Sequence, residues 1–89
     1  MNVSIPTLFR QYAAGASVVS VDGETVGEAF KDLVVLHPAL KDQLMTESGS
    51  LHKFINVYVN DEDIRYLESL DTPVGDEDSI LILPAVAGG

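Results

Sequence analysis

Phe54-Ile55-Asn56-Val57-Tyr58-Val59-Asn60 alternates three β-branched residues with two amides and two aromatics. A pleated strand sends successive side chains to opposite faces, so this period of two predicts a strand with Ile55, Val57 and Val59 in a core. Phe54 falls on the other face by this alternation, yet is expected to pack into the core, as under a loop. Tyr58 falls on that other face too, where it is either an interface aromatic or cover for a sheet edge. Asn60-Asp61-Glu62-Asp63 then forms a polar turn into Ile64-Arg65-Tyr66, which together read as a hairpin.

Towards the C-terminus, Gly75-Asp76-Glu77-Asp78 is a second polar turn before Ser79-Ile80-Leu81-Ile82-Leu83-Pro84. Four consecutive apolar residues fit a strand buried on both faces, or one whose outer face meets a partner. Towards the N-terminus, Thr25-Val26-Gly27-Glu28 has the capping-box spacing, in which a hydroxyl and a carboxylate satisfy the free amides of a helix start. Val26, Ala29, Phe30, Leu33 and Leu36 or His37 follow at helical spacing, and Pro38 ends the run. Leu40 and Leu44 sit one turn apart and predict a short second helix, with 46–50 as loop. Val3 and Ile5 mark a first strand disturbed by Pro6, and 17–21 a second, the two joined as a hairpin through Ala13, Ala14, Gly15 and Ala16.

The chain has 89 residues, is 46% hydrophobic and has no cysteine. One small domain with one modest core follows, and thiolate metal sites, disulfides and cysteine nucleophiles are excluded. No run approaches the roughly 18 apolar residues that cross a bilayer, and no secretory signal opens the chain, so a cytoplasmic location is expected. Fourteen acidic and five basic residues give a formal charge of −9. That charge disfavours nucleic acid and anionic membrane as partners and would steer the chain towards a basic protein surface. Asp61-Glu62-Asp63 lacks the spacing and glycine of a calcium loop and reads as a solvated turn. His37 and His52 have no carboxylate at the spacing of a zinc protease, so no metal site is assigned. A nucleophile elbow, a phosphate loop and a nucleotide-binding signature are likewise missing from the sequence, and intrinsic catalysis is not expected.

The chain ends Val86-Ala87-Gly88-Gly89 just beyond the last apolar strand. Two residues without a Cβ can pass a narrow channel and present an unhindered carboxylate to a phosphate or nucleophile. A small apolar chain end has the same appearance, so the diglycine alone does not decide the matter.

The element order, with a capped helix crossing a short sheet, resembles the ubiquitin-like β-grasp fold, an α+β architecture with a mixed sheet. Within it, Ser4-Ile5-Pro6-Thr7, Asn56 through Arg65, and Ile82 through Gly89 resemble bacterial sulfur carriers. These include the small subunit of molybdopterin synthase and the thiamin sulfur carrier, and the pattern is most similar to the cysteine-biosynthesis (CysO-type) carriers. The middle segment discriminates best, since the Val-Ala-Gly-Gly ending is shared across the superfamily. The resemblance implies a β-grasp domain over 1–84 and a flexible tail over 85–89. It implies that Gly89 is the covalent attachment point, adenylated and then converted to a thiocarboxylate, with Gly88, Ala87 and Val86 presenting it. Tyr58 and Arg65 become candidates for the docking face.

The partners implied are an ATP-dependent adenylating/sulfurtransferase enzyme, a pyridoxal-phosphate-dependent cysteine synthase whose aminoacrylate from O-phosphoserine accepts the sulfur, and a zinc peptidase releasing cysteine. ATP, pyridoxal phosphate and zinc are then expected on those enzymes, with no cofactor on this chain. A molybdopterin synthase subunit, a ubiquitin-like modifier joined to lysines, and a plain binding module are the alternatives.

Overall fold

The computed structural model describes residues 1–84. Five strands form one mixed sheet: β1 (Asn2–Ser4), β2 (Val18–Ser20), β3 (Ile55–Val59), β4 (Glu62–Asp63) and β5 (Ser79–Pro84), in the order β2-β1-β5-β3-β4. β1 pairs antiparallel with β2 and parallel with β5, whereas β3 pairs antiparallel with β5 and with β4. The last strand is therefore the central one. Its burial alternates, with Ile80 and Ile82 inaccessible and Leu83 42% exposed, which decides between the two readings of its apolar run: one face is core and the other faces out.

Helix α1 (Val26–Leu36) lies against the inner face. Thr25 has extended backbone, and its Oγ1 accepts a hydrogen bond from the Glu28 N–H at 3.2 Å. The Glu28 carboxylate accepts from the Glu24 N–H at 3.2 Å, one residue earlier than a reciprocal box would place it. Val26, Ala29, Phe30 and Leu33 are fully buried beneath the helix. Burying each of the larger side chains contributes about 1.5–3 kcal/mol, so this stripe anchors the helix. Leu36 does not continue it: the residue is 51% exposed, because the helix ends there and His37 leaves helical geometry ahead of Pro38. A 3₁₀ turn over Pro38–Leu40 runs into α2 (Lys41–Leu44), and Leu40 and Leu44 are both fully buried.

Two connections differ from their sequence reading. β1 and β2 are antiparallel neighbours, but their link contains a 3₁₀ helix, Thr7–Ala13, capped by Pro6 and closed by Ala14 in the left-handed region. Phe9 and Ala13 bury one side of it, so packing stabilises a turn whose alternation was too weak to read. The β3–β4 hairpin does form, with Asn60 and Asp61 both at positive φ between the paired Val59 and Glu62. That is the primed geometry whose twist suits paired strands. The strand stops at Asp63, however, and Ile64–Tyr66 is a 3₁₀ turn. The Asp63 carboxylate accepts from the Arg65 N–H at 2.9 Å, offering the backbone a local partner in place of a ladder.

Candidate functional site

β5 carries the chain to Pro84, which lies opposite Ile55 at the start of β3. Flanked by β1 and β3, the strand that leads to the tail is held on both edges. The assignments to Gly89, Gly88, Ala87 and Val86 fall outside the described residues, so the structure describes the platform that delivers them.

The platform's outer face follows from the register. Val18, Ser4, Leu81, Tyr58 and Asp63 stand in one row across all five strands. Beside this row, Leu83 pairs with Asn56. Val18 is 51% exposed and Tyr58 and Leu81 are half-buried, which gives an apolar surface beside the exit of β5.

Tyr58 and Arg65, separated by a turn in sequence, line the same surface depression, together with Asp61, Glu62 and Tyr66. Arg65 reaches back to Asp63, with Nη2 donating to Oδ2 at 2.7 Å and Nε lying 3.2 Å from both carboxylate oxygens. The pair is asymmetric, since the Arg65 side chain is 64% exposed and that of Asp63 only 8%. The guanidinium hydrogen bonds, and then the Arg65 amide, hold the Asp63 carboxyl below the usual carboxylate range, and the same pairing raises Arg65. Arg65 is thus a cation held in one orientation at the surface. Sequence reading named it but missed its anchor. The Asp-x-Arg spacing that permits an Asx turn is the signal that could have shown it.

Phe54 departs from expectation. It is 47% exposed and stacks on His52, with ring centroids 5.1 Å apart. Alternation with the inward Ile55, Val57 and Val59 already places Phe54 on the opposite side, and the neighbouring loop leaves it uncovered. The His52 Nε2 lies 2.9 Å from the Asp42 carbonyl, tying the loop to α2. Tyr66, 86% exposed beside Arg65, was not singled out from the sequence. Among the described residues no group of three or more His, Asp or Glu side chains is placed to hold a metal ion. No helix of the described chain is long and apolar enough to cross a membrane.

A mixed sheet with its C-terminal strand at the centre, one long helix across the inner face, and a chain ending in Gly-Gly define a ubiquitin-like β-grasp protein. In a crystal structure of the Amycolatopsis orientalis BexX/CysO complex, one chain superimposes with a TM-score of 0.91 at 48% identity, covering 99% of this chain and 98% of that one. The sulfur carrier protein CysO of Mycobacterium tuberculosis is 46% identical over 91 residues, 100% of this chain and 98% of its own. Small archaeal modifier protein 1 of Haloferax volcanii is 42% identical over 72 residues, 80% of this chain and 78% of its own. The chain belongs to the ThiS family, whose model matches residues 3–89, and so is one of the ubiquitin-like sulfur carriers.

Proposed function

We propose that this protein carries sulfur on its C-terminal carboxyl group for cysteine biosynthesis. The observation that carries the reading is the end-to-end likeness to the Mycobacterium tuberculosis sulfur carrier CysO, which spans both the platform and the diglycine end. The chemistry follows from acyl transfer. A free carboxylate is a poor electrophile, so a Gly89 oxygen first attacks the α-phosphorus of ATP and releases pyrophosphate. The resulting acyl-adenylate has a good leaving group. A sulfur nucleophile adds to its carbonyl carbon and AMP departs, leaving a thiocarboxylate. That sulfur then attacks an electrophilic carbon held by a second enzyme, and docking of the folded body supplies the proximity that a short free peptide lacks.

In this scheme ATP, pyridoxal phosphate and the zinc of a releasing peptidase reside on partner enzymes, and this chain is their protein co-substrate. Tyr58 and Arg65 contribute to docking alongside the apolar row of Val18, Leu81 and Leu83. The BexX/CysO complex supports the idea that a chain of this shape docks on another protein. The decisive experiment supplies the thiocarboxylate form to a pyridoxal-phosphate-dependent cysteine synthase with O-phosphoserine. Intact mass should show cysteine added to the carrier. An inert thiocarboxylate that instead converts a molybdopterin precursor would assign the chain to that pathway.

The likeness to a small archaeal modifier protein supports a second reading, in which activated Gly89 is joined to lysines. Accumulation of lysine-linked conjugates ending in Gly89, with no thiocarboxylate, would establish it.

A further inference from the structure

On the inner side of β3, at the β4 edge, a cavity of about 290 Å³ opens to the surface between the 46–54 loop and the 3₁₀ turns that follow β4. Its floor is apolar, made by Leu51, Ile55, Val57, Ile64 and Leu70. Ile55 and Val57 point away from the face that carries Asn56 and Tyr58, so the floor lies across β3 from the outer face, while Asp63 and Arg65 border both this cavity and the Tyr58 depression. Lys53 and Arg65 stand on its lip, two of the five Lys and Arg residues in a chain of formal charge −9, with His52 beside them. The one carboxylate in the lining is Asp63, and it is occupied by Arg65.

A volume at the lower end of ligand pockets suits one bulky apolar side chain, and a lip of donors suits a carboxylate beside it. We infer that this cavity is a second docking site, which accepts a partner-protein segment that inserts one aromatic or leucine side chain and places acidic residues against Lys53 and Arg65. Charge complementarity selects the segment. Most of this protein's surface repels an acidic peptide, whereas this lip sets Lys53 and the exposed Arg65 beside a single, shielded carboxylate. The buried floor supplies the desolvated socket that hot-spot side chains require, while the charges orient the segment and raise its encounter rate.

The test is an amide NMR titration of the full chain with the acetylated, amidated peptide Asp-Leu-Phe-Glu-Glu. Saturable shifts should be confined to Leu51, Lys53, Ile64, Arg65 and Leu70. Replacing the peptide's two apolar residues by alanine should abolish them. Lys53→Glu, an exposed change that leaves the core intact, should weaken binding about fivefold, the scale of one surface charge pair. Shifts that map instead to Leu81 and Leu83, equal binding by Lys53→Glu, or no saturation would each overturn the site. Pro84 lies opposite Ile55, and five further residues span at most about 17 Å, so the chain's own end is the competing occupant. If deleting 85–89 by itself moves the Leu51, Lys53 and Arg65 amides and raises peptide affinity, the cavity belongs to that end and the proposal fails.

Discussion

Asn60 and Asp78 join two turns that lie far apart in sequence: the Asn60 Nδ2 donates to the Asp78 Oδ1 at 2.8 Å. The same amide's Oδ1 accepts from the Ser79 N–H at 3.0 Å, and the Asn60 N–H donates to the Ser79 carbonyl at 3.0 Å. Asp78 in turn accepts from the Gly75 N–H at 2.7 Å. One side chain therefore locks the β3–β4 hairpin to the start of β5 and sets the register of the strand that leads to the tail.

Replacing Asn60 by alanine removes both side-chain hydrogen bonds and puts a less tolerant residue at φ 49°. The expected loss is about 1–2 kcal/mol in urea unfolding. An unchanged midpoint would mean that the network follows the strand order without supporting it.

Stability should also fall in acid, through Asp63 and Asp78. Hydrogen bonds from Arg65 to Asp63, and from Asn60 and Gly75 to Asp78, lower both folded-state values below the ordinary 3.8. A lowered folded pKa means that the unfolded chain binds protons first, so the contribution is complete above the unfolded value and lost as pH falls through the folded ones. Urea midpoints should hold steady from neutral pH to about 5 and drop below about 4. In Asp78→Asn the drop should be shallower.

Deleting Gly88 and Gly89 should leave thermal unfolding within a degree or so of the full chain while abolishing adenylation and sulfur loading. Gly89→Val should fold normally and load poorly, because a β-branched side chain crowds the activated carbonyl. Thiocarboxylate on the deletion variant would remove Gly89 from the chemistry.

Docking to the activating enzyme should slow as salt rises, with most of the change in the on-rate, given the −9 charge. Leu83→Ser on the outer face should weaken it about tenfold, as for a central apolar anchor, with little change in melting temperature. Arg65→Glu is the less clean probe. It would set a second carboxylate beside the shielded Asp63, so a stability loss should accompany any docking defect. Tyr66→Ala, at an 86% exposed position, separates the two effects.

The sequence by itself determined the elements whose signal is local. The Val26-Ala29-Phe30-Leu33 stripe, the Ile55-Val57-Val59 alternation and the Leu40-Leu44 spacing each report the face that their own backbone turns inward, and each is buried as read, while Thr25 accepts the capping hydrogen bond that its spacing predicts. The diglycine end is read from the sequence as a chemical group, and it lies outside the described residues. Only the tertiary structure decided what depends on distant partners. Parallel pairing of β1 with β5 joins the two ends of the described chain and makes the last strand central, which no local period can encode. Thr7–Ala13 became a 3₁₀ helix because Phe9 and Ala13 found the core, and Phe54 stayed out of it because no loop closed over the side of β3 to which alternation assigns it. Tyr58 and Arg65 share a surface because the Asn60-Asp61 turn folds β4 back and Asp63 then captures the guanidinium. Burial and charge pairing are properties of the assembled sheet, and they become visible only when its strands are in place.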